Sequence, residues 1–219
     1  MKEKHLPLYA VLEALDSKEC PICLLATKSI ESYFDSLLYE NINDIGFRTK
    51  FRAQNGFCNY HSYKFIKYND GLAVSLTHKD LLAQKIEQYK KNNYIIKAQK
   101  NNQNKCIICD VANNAELRYI SEMINYLEDD ELKSKFLKSE GLCIPHFELM
   151  IAKSKKIPKW FIEFNESKYK ILLEQVNKFT ESCNFSLGDR RPVLSIEEAE
   201  SWKKAVKIIR GFEGMQSVL

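Results

Sequence analysis

The chain has 219 residues, enough to bury a real core as one large domain or two small ones. With 45% hydrophobic and 28% charged residues and only 7 glycines and 5 prolines, its composition excludes a disordered or fibrous chain. The net charge of +4, spread over 33 basic and 29 acidic residues, does not mark a nucleic-acid partner, and no apolar run approaches the ~18 residues of a membrane span.

The N-terminal Met1-Lys2-Glu3-Lys4-His5-Leu6-Pro7 lacks the apolar stretch of a secretion signal, so a cytoplasmic location is expected. In a reducing compartment the seven cysteines read as ligands, nucleophiles or buried thiols before disulfides.

In chain order, the first marked feature is Cys20-Pro21-Ile22-Cys23. After it Ile30, Tyr33, Phe34, Leu37 and Leu38 recur at i, i+3, i+4, i+7 and i+8, one face of an amphipathic helix. A shorter helix is expected over residues 44–54, followed by Gly56-Phe57-Cys58-Asn59-Tyr60-His61. Leu81, Leu82, Ile86 and Tyr89 then mark a longer helix. The Lys-, Asn- and Gln-rich stretch from Tyr94 to Lys105 reads as a junction.

The order then restarts. Cys106-Ile107-Ile108-Cys109 precedes a helical face of Leu117, Ile120, Ile124 and Leu127, and a short helix is expected over residues 129–139. Gly141-Leu142-Cys143-Ile144-Pro145-His146 follows, and Tyr169, Leu172, Leu173, Val176 and Phe179 mark the long helix. The gap between Cys-x-x-Cys and Cys-x-x-His is 34 residues in the first half and 33 in the second. Arg48, Lys50 and Phe51 are echoed by Lys133, Lys135 and Phe136. This is an internal repeat. A loop at residues 187–192 leads to a last helix, announced by the capping box Ser195-Ile196-Glu197-Glu198 and carrying Trp202, Ala205, Val206 and Ile209. The expected fold class is all-α: two tandem helical-hairpin modules, residues 1–100 and 101–219, packed as one compact unit.

Thiolate and imidazole are the donors that a tetrahedral Zn²⁺ site prefers. Prolines 21 and 145 suit the first turn of a helix, whose N–H groups stabilise thiolates. A long helix followed by a shorter antiparallel one is expected to return the chain to its start. Cys20, Cys23, Cys58 and His61 would then form one Cys3His site, and Cys106, Cys109, Cys143 and His146 a second. Pairing across the halves is the alternative. Two zinc ions are the expected cofactors, and iron–sulfur clusters on the same eight ligands are the alternative.

Other residues carry less. Cys-Pro-Ile-Cys as a thioredoxin-like redox pair would need a preceding strand, and none is expected. Cys183 reads as a partly buried free thiol near a helix end, and His78 as a surface histidine. Glu128, Asp129, Asp130 and Glu131 read as charge enrichment at a helix N-terminus. Lys153, Lys155, Lys156, Arg190 and Arg191 read as solvated charge, and Trp160 and Trp202 as core or interface anchors. No phosphate-binding glycine loop, serine nucleophile or other catalytic constellation is visible.

The chain resembles an uncharacterised prokaryotic family with a domain of unknown function. The likeness is carried by Glu19-Cys20-Pro21-Ile22-Cys23, both Gly-x-Cys-x-x-His elements, Arg190-Arg191-Pro192, and Ser201-Trp202-Lys203-Lys204-Ala205-Val206. Members often show Lys-His-Asp-Tyr where this chain has Ser182-Cys183-Asn184-Phe185. The resemblance implies that the ligand positions belong to the family pattern, and it brings no activity. The expected function is a zinc-stapled helical protein that binds a protein partner. An iron–sulfur redox or electron-transfer protein is the alternative, and a metal sensor or carrier a weaker one.

Overall fold

The computed structural model describes residues 5–92 and 106–214; the expected junction at 94–105 lies outside the described residues. Among the described residues every regular element is helical. Helix α1 (Leu6–Ala14) leads into α2 (Pro21–Ser36), which runs on through a π-helical turn (Leu37–Asn41). Then come α3 (Ile45–Ala53), α4 (Asn59–Ile66) and α5 (Gly71–Lys91). The second half supplies α6 (Ile107–Asn125), α7 (Asp130–Phe136), α8 (Ile144–Lys153) and α9 (Lys159–Ser182). A 3-10 turn (Phe185–Arg190), where a loop was expected, leads to α10 (Ile196–Arg210).

Local chemistry starts these helices, and α5 begins at Gly71, earlier than the start expected near His78. The Asp44 and Asp70 carboxylates accept from the N–H groups of Phe47 at 2.7 Å and Ala73 at 2.8 Å, capping α3 and α5. Asp129, from the acidic run, caps α7 through the N–H groups of Glu131 and Leu132. Ser195 and Glu198 form the predicted capping box on α10. Helix α1 was not expected, although Leu8, Val11, Leu12 and Leu15 have helical spacing and are buried.

The chain divides into two compact units that do not follow the boundary at residue 100. One joins Met1–Ala26 to Ala115–Leu219, and the other is Thr27–Asn114. The first unit's core gathers Leu8, Val11, Ile22, Ile120, Met123, Leu132, Phe136, Met150 and Phe161. The core of the second is aromatic: Phe34 lies 5.7 Å from both Phe57 and Phe65, and Phe51 lies 4.8 Å from Phe57. Each fully buried side chain of this size contributes about 1.5–3 kcal/mol. Phe51 and Phe136 hold the short helix to the core in their respective units.

Two glycines shape the approach to the cysteines. Gly56 (φ +86°) follows α3 and Gly141 (φ +76°) follows α7, both in the left-handed region. At Gly141 a Cβ would stand 2.9 Å from Oδ1 of Asn165, a fully buried residue of α9. That oxygen accepts the Leu142 N–H at 2.9 Å, the Asn165 amide donates to the Phe161 carbonyl at 2.8 Å, and the Tyr169 hydroxyl donates to the Leu142 carbonyl at 3.1 Å. Helix α9 thus pins the turn that presents Cys143.

Candidate metal centres

All four motifs use the same local geometry. Cys58 and Cys143 are the N-cap residues of α4 and α8, and Cys20 and Cys106 immediately precede α2 and α6. In each case the cysteine carbonyl accepts the first helical hydrogen bond, from Leu24, Ser62, Asp110 or Phe147, at 2.9–3.1 Å. The second ligand of each motif, Cys23, His61, Cys109 or His146, is the third residue of its helix. Side chains at these two positions face one another across the helix end, as in a capping box. Each motif therefore offers two ligands beside a helix N-terminus, where free N–H groups favour negative sulfur.

The pairing of motifs corrects the sequence expectation. Cys20 and Cys23 meet Cys143 and His146 in the first unit, whereas Cys58 and His61 meet Cys106 and Cys109 in the second. Each group draws Cys-x-x-Cys from one half and Cys-x-x-His from the other. Helix length explains this. At 1.5 Å per residue, α2 and its π turn carry the chain roughly 30 Å from Cys20, and the nine-residue α3 returns only about 14 Å. The 19 residues of α6 against seven in α7 give the same mismatch. The short helix of each hairpin therefore does not by itself bring the chain back to its start.

In each group the four ligand atoms lie within 4.8 Å of one another. In the first unit His146 Nδ1 is 3.5 Å from Cys20 Sγ, 3.4 Å from Cys23 Sγ and 3.1 Å from Cys143 Sγ, and Cys23 and Cys143 are 3.6 Å apart. In the second His61 Nδ1 is 3.2 Å from Cys58 Sγ, 3.6 Å from Cys106 Sγ and 3.4 Å from Cys109 Sγ, and Cys58 and Cys109 are 3.8 Å apart. Zn–S bonds of about 2.3 Å and Zn–N bonds of about 2.05 Å make tetrahedral edges of about 3.8 Å (S···S) and 3.6 Å (S···N). The separations given above are close to these edges, and each group could hold a metal ion.

The surroundings differ. All four residues of the first group are at most 6% exposed, whereas Cys58 and Cys109 of the second are partly exposed. His146 Nε2 faces the carboxylate of Glu116 at 3.8 Å, and Glu116 is 1% exposed. His61 Nε2 is buried with no hydrogen-bond partner. Glu116 was missed by the sequence reading, yet it had a signal: a carboxylate on the apolar stripe of Ala112, Tyr119, Ile120 and Met123.

Charge within each group is divided unequally. The hydrogen bond from Cys109 brings the Cys106 thiol down to about 3, and the same bond pushes Cys109 up while burial raises Cys58. Burial opposes ionisation of Cys20, but hydrogen bonds from Cys143 and Cys23 hold it well below the ordinary thiol value. The Cys23 thiol is raised by its own hydrogen bonds with Cys143 and then Cys20, and the bond with Cys20 raises Cys143. Burial disfavours the His146 cation, but the Cys20 charge and the Cys143 hydrogen bond outweigh it, lifting His146 to about 12.

A pH dependence follows. Groups with raised values hold their protons at neutral pH, so an incoming ion must displace protons at Cys58 and Cys109 in the second unit and at Cys23, Cys143 and His146 in the first. Metal affinity is therefore expected to rise with pH at both centres, by more than about 10-fold per unit, with acid ejecting the ion. Chelator competition from about pH 6 to pH 8 measures the slope; a flat profile would contradict this proton release.

The remaining candidates lie elsewhere. Cys183 is the C-cap of α9 and is exposed, not partly buried, because the helix ends there at the surface. His78 is not a free surface group: its Nδ1 lies 2.9 Å from the Val74 carbonyl and its ring lies edge-on to Phe51. Trp160 packs against Phe136 and Phe161, whereas Trp202 is half-exposed on α10.

A profile of the family of unknown function DUF6062 matches residues 1–187. The chain is also 24% identical, over 92% of its own length and 99% of the relative's, to an "Uncharacterized 23.9 kDa protein in xynA 3'region" of Caldicellulosiruptor sp. (strain Rt8B.4). No solved structure gives a significant match.

Proposed function

The chain belongs to the DUF6062 family, and on that premise we propose that it is a zinc protein with two structural Cys3His centres, whose metals staple a helical scaffold that binds another protein. The observation that carries this reading is the close spacing of four ligand atoms in each group, all within 4.8 Å of one another. That spacing favours a single ion over a cluster, since an iron–sulfur cluster sets thiolates on different irons further apart. Four protein ligands leave no open coordination position, the mark of a structural and not a catalytic zinc. Support for an interaction role comes from α10, which exposes Trp202, Val206 and Ile209 along one stripe. Among the described residues no helix is long and apolar enough to cross a membrane.

The test is metal and sulfide content with a visible spectrum, on protein purified anaerobically without added metal. About two zinc ions per chain and no colour are expected, and chelation should lower the melting temperature sharply. Iron with acid-labile sulfide would replace the zinc reading with a redox one. Full thermal stability after metal removal would defeat the structural role.

A further inference from the structure

The two groups of ligands are not equivalent, and the difference lies one residue beyond the ligands. In both groups the histidine turns Nδ1 toward the three sulfurs, leaving Nε2 on the outer side. A ring bound to a metal through Nδ1 carries its proton on Nε2, and a carboxylate there fixes the tautomer and the ring orientation and makes the ligand nitrogen more basic. His146 Nε2 faces Glu116, a buried residue whose two oxygens have no hydrogen-bond partner and which stands 3.8 Å away. A buried carboxylate without hydrogen bonds is costly and calls for a compensating donor. The Nε2–H group of a metal-bound His146 is that donor, and the helix N-termini of α2 and α8 offset the added negative charge.

Among the described residues the second unit shows no such arrangement. Glu116 lies seven residues after Cys109, and the residue seven after Cys23 is Ile30, an apolar member of the second core. His61 Nε2 is buried and unpartnered. In addition Cys58 and Cys109 are partly exposed residues, whereas all four residues of the first group are buried.

Building on the metal reading, we propose that Glu116 is a positioning residue acting through His146, so that the centre of Cys20, Cys23, Cys143 and His146 retains its ion while that of Cys58, His61, Cys106 and Cys109 exchanges it. Both centres staple the fold, but the first holds its ion permanently and the second exchanges its divalent soft-to-borderline ion.

The experiment loads the full chain with zinc and challenges it with excess of a chelating dye. Two release phases of equal amplitude are expected. A variant with Cys58→Ser and Cys109→Ser should keep only the slow phase, which assigns it to the first unit. Glu116→Gln should speed the slow phase by about 10–100-fold and leave the fast phase unchanged, with Glu116→Asp restoring part of the retention. In the cobalt-loaded protein, Glu116→Gln should shift the visible bands of one cobalt only, a change that altered packing alone would not give. A single release phase overturns the proposal. So does a slow phase that vanishes with Cys58 and Cys109, or a Glu116→Gln variant that changes neither phase or both alike. If Glu116→Gln does not fold, the wild-type phases, their assignment and Glu116→Asp decide it. A chain that takes up no zinc would defeat the metal reading itself, whereas two zinc ions leaving together would defeat only this inequality.

Discussion

Replacing Cys20 with serine should lower the bound zinc from about two ions per chain to one and reduce stability by at least ~3 kcal/mol. Structural zinc supplies apparent binding energies of order 10 kcal/mol, comparable with the ~5–15 kcal/mol total stability of a domain, so losing one ligand is severe. The decisive comparison uses pairs. Cys20 and Cys143 share one group, so Cys20→Ser with Cys143→Ser should still leave one zinc, with a cost well short of the sum of the singles. Cys20 and Cys58 belong to different groups, so Cys20→Ser with Cys58→Ser should abolish both ions and cost about the sum, or unfold the chain. Closure of each site within its own half predicts the reverse pattern. The exposed Cys183 serves as control: Cys183→Ser should retain both ions and change stability by less than about 0.5 kcal/mol. Metal analysis and denaturant unfolding on the same preparations give both readouts.

The eight Cys and His residues of the two groups were legible because a local rule governs their placement. A cysteine just before a helix and a second donor at its third residue recur four times, and the doubled spacing makes coincidence a poor account. Helix identity was legible for the same local reason, from apolar spacing and from caps such as Asp129 and Ser195. The pairing of motifs was misread because it is a matter of reach. The lengths that hint at it were present, since a helical stretch from Cys23 into the forties is not retraced by a helix of about ten residues alone, but the matched spacing of the motifs invites the assumption that each half is complete. Glu116 was legible in principle, being a charge on an otherwise apolar stripe. Asn165 was not, because nothing in the pattern of α9 marks it out from a surface asparagine; its role appears only when the Leu142 N–H reaches its amide oxygen.

Separating the halves should therefore disable both centres at once. A fragment of residues 1–100 contains Cys20, Cys23, Cys58 and His61, the full ligand count of one site, yet these form two half-sites held in different units. The complementary fragment 101–219 has the same defect. Each also loses part of its core: Ile120, Met123 and Phe136 no longer meet Leu8, Val11 and Ile22, and Ile108 and Ala112 no longer meet Phe34 and Phe51. Neither fragment alone is expected to bind zinc tightly or to show a cooperative thermal transition. Mixed in equal amounts with zinc, they should form a one-to-one complex holding about two ions, measurable by size-exclusion chromatography with metal analysis. One tightly held zinc in the isolated 1–100 fragment would mean that the half closes on itself and would overturn the pairing. Two ligands from a Cys-x-x-Cys or a Cys-x-x-His hold an ion weakly on their own, because only the fourth corner completes the tetrahedron. The metal in this protein would thus reward assembly of the whole chain over folding of either half.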